Sequence, residues 1–319
     1  MEHLWIGVFA VLLLGYFALE GFSIGTGLLL PFTGRDERER GTVVAGLGPY
    51  FLANEVWLVA VIGVFFGVFP VLEGSVLTAL YPLVVGFLLA WILRDAGLWM
   101  RARREGAGWR RTWDRAIFAG SLGMATSWGA ALANLALGVP LDHGSQVAAL
   151  PLFNLYALFG AVALTVLLAA HGAVFLARRV DGAPGTRAAS LARPLVPLAA
   201  VLLPVVVVTG AVLGGADTMV VWIAGVALLG TAVLVVAHRL LAGGSRDAAF
   251  AATAFGATVP IQALLVGVHP LLRDSLAHGD TLWILTIVVG PVLPLLALAQ
   301  VWLWRAFRGT VDHTTPSYL

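Results

Sequence analysis

The sequence contains no cysteine and no lysine. The first absence excludes disulfides, thiolate metal sites and thiol catalysis. The second excludes a Schiff-base lysine and a general-base lysine. Charge of either sign is scarce: charged residues make up 11% of the 319, against 60% hydrophobic. No P-loop, Rossmann fingerprint or zinc-binding spacing occurs, so ATP is not handled by this chain. The longest polar connection, about Trp99–Arg115, is too short for a soluble domain. The net charge of +2 gives no argument for nucleic acid, because topology accounts for the arginines. What remains is apolar: a mean hydropathy of +0.94 exceeds anything a soluble core requires.

Apolar runs of about 20 residues match a hydrocarbon core about 30 Å thick. Nine are present: Leu4–Phe32, Gly48–Phe69, Val76–Leu98, Ala116–Leu137, Leu150–Leu176, Leu195–Leu213, Met219–Ala237, Ala248–Val268 and Leu282–Trp304. They predict an all-α integral membrane protein, residues 1–319 forming one polytopic domain. The first run is too long for a cleaved signal peptide, and Glu2 and His3 stand where a basic patch would be. The arginines alternate between loops. Those following the first, third, fifth, seventh and ninth runs carry 18 of the 19, and only Arg273 lies on the other side. The positive-inside rule then puts the N-terminus outside and the C-terminus in the cytoplasm.

Two carboxylates lie inside the first two runs. Glu20 is about twelve residues from the arginine-rich end of its run, roughly 18 Å deep, and Glu55 lies on the next, antiparallel run. An intramembrane acid usually faces a bundle interior or an aqueous path. Two readings stand for the pair: a protonatable relay or polar seat near a cofactor, and a neutral hydrogen-bonded lock on helix packing. Asn54 and Asn154 are buried amides that need partners. Trp57 shapes a cavity or packs. Gly21 and Gly25 form a small-xxx-small face for close helix approach. Arg94 with Asp95, at the end of the third run, is expected to anchor at the interface by snorkelling. Of seven histidines only His171 lies clearly within a run, and no pair has the spacing to sandwich a haem. His171 is expected to serve helix packing or an interface, and the chain alone to bind no haem and no metal.

Several short marks, in order along nearly the whole chain, resemble subunit II of the cytochrome bd-type quinol oxidases. They are Glu20-Gly21-Phe22 with Gly25 and Gly27, the charged run Gly34–Arg40, Asn54-Glu55-Val56-Trp57-Leu58, and Ile92-Leu93-Arg94. Trp113-Asp114, His171-Gly172-Ala173 and the closing Gln300, Trp302 and Phe307-Arg308 continue the series. The resemblance implies two four-helix bundles plus one additional helix. It implies a heterodimer in a bacterial cell (inner) membrane that oxidises quinol and reduces dioxygen to water. The b and d haems and the quinol site would belong to subunit I. This subunit would carry no haem, would have room for a structural quinone, and would contact membrane lipids and a small accessory subunit.

Two departures bear on proton movement. Ser23 stands where the family has an aspartate, and Phe51-Leu52-Ala53-Asn54 replaces its Trp-Asp-Gly-Asn. The resemblance implies that a replaced aspartate carries protons, so a route here shifts to Glu20 and Glu55 or is lost. The rival readings are a secondary transporter or channel with midplane carboxylates, for which no internal repeat is evident, and a purely structural assembly subunit.

Overall fold

The computed structural model describes residues 1–138, 149–215 and 219–315, with the side chains of 149 and 150 excepted. Its helices are α1 (Glu2–Thr33), α2 (Glu37–Leu47), α3 (Phe51–Val68), α4 (Pro70–Ala79), α5 (Tyr81–Arg101), α6 (Ala107–Ala136) and α7 (Ala149–Leu152). There follow α8 (Leu155–Arg179), α9 (Gly182–Leu213), α10 (Val220–Ala242), α11 (Arg246–Asp274), α12 (Gly279–Val288) and α13 (Val292–Ala306). Eight of these are long and apolar enough to cross a membrane, and the pair α12–α13, bent by 41°, makes a ninth span if counted as one. Among the described residues there is no β-strand, only an isolated bridge between Val180 and Val311.

The helices depart from the apolar runs where hydropathy and hydrogen bonding part company. α6 begins nine residues before its run, because Trp109, Arg110 and Thr112 continue a helix beyond the oil. The charged stretch after α1 is not a loop but α2, whose N-cap Asp36 accepts from the Glu39 backbone at 2.8 Å. The third run divides: α4 ends at Ala79 and α5 restarts with Pro82 in its first turn. The ninth breaks around Gly290 and Pro291, where proline cannot continue the backbone ladder.

α8, α9, α10 and α11 close a four-helix ring. α1, α3, α5 and α6 form the second group; α1 also packs on α8 and α11, and α6 on α8, so these two helices join the groups. Lipid tails are as apolar as leucine, so the helices are held by fit and polar contacts rather than by escape from water. One close fit is where α1 crosses α8. A Cβ on Gly172 would overlap the Gly25 and Thr26 backbone, and one on Gly25 would overlap the Leu168 carbonyl. The ninth span is tied back by polar contacts. Trp5 Nε1 donates to Leu282 O (3.2 Å) and Thr286 Oγ1 (3.1 Å), and the Tyr50 hydroxyl donates to Phe307 O (2.6 Å).

Candidate functional site

Glu20 on α1, Glu55 on α3 and Arg94 on α5 meet inside the helix group formed by α1, α3, α5 and α6. The Arg94 guanidinium donates to Glu20 through Nη1 and to Glu55 through Nη2. Its Nε donates to Asp95 Oδ1 at 3.0 Å. Glu20 and Arg94 are fully buried, and Glu55 nearly so.

The sequence of α5 explains this placement. Leu83, Phe87, Ala90, Arg94, Gly97 and Arg101 recur at helical spacing on its buried face. On α6, Gly120 allows the α5 backbone to approach: a Cβ there would stand 2.6 Å from the Ala90 carbonyl and the Arg94 nitrogen. Arg94 is also roughly 10 Å along the helix from Arg101, which marks the polar end. The expected snorkelling of Arg94 is therefore corrected: the side chain turns inward, because two acids on neighbouring helices compensate its charge where lipid would not.

A neutral network adjoins this cluster. Asn54 Nδ2 donates to Ser23 Oγ and to the Leu19 carbonyl, both at 3.0 Å. Gln300 Nε2 on α13 donates to Asn54 Oδ1 at 3.0 Å, and Trp57 Nε1 donates to Gln300 Oε1 at 3.4 Å. The Trp57 ring also fills the space beside Gly15. Ser23 is thus absorbed into a hydrogen-bond network. Leu52 lies on the far face of α3, 47% exposed. Asn154 caps α8 by accepting from Ala157 N at 2.7 Å, and donates to Asn134 Oδ1 at 3.1 Å.

His171 is apart from the cluster. Its Nε2 lies 3.0 Å from the Ala18 carbonyl and its Nδ1 2.9 Å from Thr253 Oγ1, and its ring stacks on Phe250. A carbonyl only accepts, so Nε2 carries the proton. Both ring nitrogens are engaged. Among the described residues no group of three or more His, Asp or Glu is placed to hold a metal.

At the arginine-rich end, Asp114 accepts from Arg101 Nε (2.6 Å) and faces Arg40 Nε (2.8 Å), which ties α2, α5 and α6. Arg187 on α9 donates to Glu39 at 2.5 Å, and this bond holds the Glu39 carboxyl below the usual carboxylate range. Toward the opposite end lies an apolar cavity of about 670 Å³, with Phe65, Phe87, Trp128, Leu164 and Leu264 among its walls.

Sequence reasoning singled out Glu20, Glu55, Asn54, Trp57, Arg94 and His171. The structure brings the first two onto Arg94, places Asn54 and Trp57 in the adjoining network, and leaves His171 elsewhere. It also brings in Asp95, Ser23 and Gln300, which the sequence had marked only as an interface partner of Arg94, a departure from the family pattern and part of the closing motif. The signal for Arg94 was charge balance: two intramembrane acids need a cation, and Arg94 stands at the edge of the third run.

Fold and site together define a polytopic helical membrane protein with an acid–arginine–acid centre inside one of its two helix groups. The chain belongs to the cytochrome bd terminal oxidase subunit II family, whose family model matches residues 1–307. It is 29% identical over 336 residues to cytochrome bd ubiquinol oxidase subunit 2 of Bacillus subtilis (strain 168), covering 99% of this chain and 98% of that protein. It is 28% identical over 188 residues to cytochrome bd-I ubiquinol oxidase subunit 2 of Escherichia coli (strain K12), covering 57% of this chain and 50% of that one. Its fold matches a chain of the bd oxidase from Geobacillus thermodenitrificans with a TM-score of 0.69 at 17% identity, covering 96% of this chain and 98% of that one. The resemblance drawn from the motifs is the family shown by these comparisons.

Proposed function

We propose that this chain is the non-haem half of a quinol-oxidising, dioxygen-reducing complex, paired in a bacterial cell membrane with a haem-bearing subunit I. The supporting observation is the family match, which runs over residues 1–307 rather than over one motif. His171, the histidine that lies clearly within a span, spends both ring nitrogens on Ala18 and Thr253 and has neither free for a haem iron. On this reading the haems are held by the partner subunit, and this chain supplies the other half of the membrane complex. The arginine asymmetry supports an external N-terminus and a cytoplasmic C-terminus.

Within the complex, the cluster of Glu20, Glu55 and Arg94 is read as proton-active, with Asn54 and Gln300 fixing the acids' neighbours. The apolar cavity suits the tail of a structural quinone, with Trp128 and Phe87 among the residues that would hold it. Such a quinone would serve packing, and redox chemistry only if its head reached the partner's haems. A small accessory subunit is compatible with the exposed apolar faces of α10 and α13.

Co-expression with and without the partner tests the reading. Membranes holding both chains are expected to consume oxygen with a quinol donor and to show b- and d-type haem bands. This chain purified alone is expected to show none. Stoichiometric haem on the isolated chain, or full oxidase activity in membranes lacking it, would overturn the proposal.

A further inference from the structure

Arginines gather at the polar rim of any membrane protein, so a rim arginine alone says little. Several here are already engaged. Arg40 and Arg101 hold Asp114, Arg110 binds Glu37, Arg178 binds Asp247 and Arg187 binds Glu39. Arg111 and Arg115 on α6 differ. Both are exposed, and no ion pair among the described residues includes either. The nearest acids do not neutralise them. Asp114 and Glu37 are committed elsewhere, and Glu105, in the turn before α6, joins no ion pair with them.

Arg111 and Arg115 are one helical turn apart, so their side chains leave one face of α6 roughly 6 Å apart along the axis. The same face runs on toward the membrane interior through Phe118, Leu122 and Thr126. Leu122 is 36% exposed, and the Phe118 ring meets the exposed Phe32 ring of α1 edge to face at 6.3 Å. The Thr126 hydroxyl donates back to the Leu122 carbonyl at 2.8 Å, so it makes no polar demand on its surroundings. The inner face of α6 is the packed one, with Ile117 and Ser121 against Gly27. One outward stripe therefore passes from two unpaired cations to an apolar ladder that Phe32 widens.

A molecule that matches this stripe carries a negative phosphate at one end and hydrocarbon at the other. Guanidinium groups take phosphate through paired N–H donors. Basic groups beside membrane spans hold anionic headgroups. We propose that the face of α6 bearing Arg111, Arg115, Phe118 and Leu122 binds one anionic phospholipid, with its phosphate on the two arginines and an acyl chain along Phe118, Phe32 and Leu122. A zwitterionic lipid offers the same phosphate but brings its own cation against Arg111 and Arg115, so the site selects by headgroup charge. The inference goes beyond the oxidase reading and does not depend on where haem or quinone is held.

Native mass spectrometry of the delipidated two-subunit complex, titrated with phosphatidylglycerol in a neutral detergent, tests it. A saturable phosphatidylglycerol site is expected that phosphatidylcholine does not fill. Arg111→Gln/Arg115→Gln is expected to weaken that site roughly tenfold or more, and Arg111→Lys/Arg115→Lys to keep most of the affinity. Arg193→Gln/Arg239→Gln removes two exposed arginines from α9 and α10 and is expected to leave the site unchanged. Equal filling by phosphatidylcholine, or an equal loss in the Arg193/Arg239 pair, would overturn the site. Soluble glycerol 3-phosphate lacks the chains and is expected not to displace the lipid; displacement at equal concentration would overturn the lipid assignment. A second measurement needs only the wild type. Phosphatidylglycerol with a diazirine on its acyl chain is expected to label the Arg115–Thr126 segment more than the phosphatidylcholine analogue does. Equal labelling, or none because the partner subunit covers this face, would refute the proposal whatever the variants do.

Discussion

In an Arg94→Gln variant, Glu20 and Glu55 lose the cation between them while a polar side chain of similar reach remains. Removing one partner of a buried ion pair typically costs about 3–5 kcal/mol. Proton uptake sets a ceiling by another route. A carboxyl deprived of its cation takes up a proton, which at pH 7 costs about 3.7 kcal/mol, from 1.36 kcal/mol per unit and an ordinary glutamate value near 4.3. If both acids start ionised, the ceiling is about 7 kcal/mol; if the pair already holds one proton, it is about 4 kcal/mol. Either is a large part of a total stability of about 5–15 kcal/mol.

The pH dependence separates the two cases. The native variant binds more protons than its unfolded chain near neutrality, so its stability falls as pH rises, by about 1.36 kcal/mol per unit for each extra proton. With one resident proton already present, the deficit against wild type is expected to shrink from about 4 kcal/mol at pH 7 to about 1 kcal/mol at pH 5. Chemical unfolding of the detergent-solubilised complex across pH 5–8 measures this. A slope of two protons would refute the resident proton. A deficit independent of pH would refute the electrostatic argument altogether and leave only packing. Adding Glu20→Gln to Arg94→Gln should remove the slope and recover most of the stability.

Gly172→Leu is expected to prevent α8 from closing on α1, because the new side chain meets the Gly25 and Thr26 backbone. Overpacking of this kind costs about 1–3 kcal/mol or more, and a normal yield of monodisperse complex on size exclusion would show the crossing to be looser than described. Glu39 binds Arg187 with about a fifth of each side chain exposed, so the pair is worth less than about 1 kcal/mol. Its carboxyl is held below 4.5 by the Arg187 bond, so this stabilisation is complete above that pH and is lost as pH falls through the lowered value. Glu39→Gln should therefore lower the thermal midpoint slightly at pH 7 and leave it unchanged well below pH 4, where equal deficits at both would disprove the linkage.

Much of this architecture is written in the chain at the level of hydropathy and charge. Runs of apolar residues located the spans, because backbone groups in lipid must bond within a helix. The arginine-rich loops grouped at one end because crossing the membrane with a guanidinium is costly. The acids Glu20 and Glu55 were visible as anomalies for the same reason. The start of α2 was not read from the sequence: Asp36 caps it and Glu39 Oε2 accepts from Arg35 N at 2.7 Å, but the surrounding charges marked the stretch only as a polar connection. Arg94 was misassigned because a single run shows only its distance from the boundary, whereas the compensating acids belong to two other helices. Gln300, 246 residues from Asn54, could be joined to it only by tertiary packing. The cavity likewise has no local signal, since its walls come from helices far apart in sequence.

The bond between Glu20 and Arg94 spans 74 residues. At a synthesis rate of about 5–20 residues per second, the acid leaves the ribosome roughly 4–15 s before its cation. During that interval the first helix waits with an uncompensated carboxyl, and α8 and α11, its other neighbours, do not yet exist. Glu20 must enter the bilayer carrying a proton or remain in the translocation machinery until α5 arrives. Biogenesis thus inherits a timing constraint: the helix at the centre of the finished subunit is the one least able to settle alone. Slowing translation between α1 and α5 should lengthen its dependence on insertion factors and leave the finished fold unaltered.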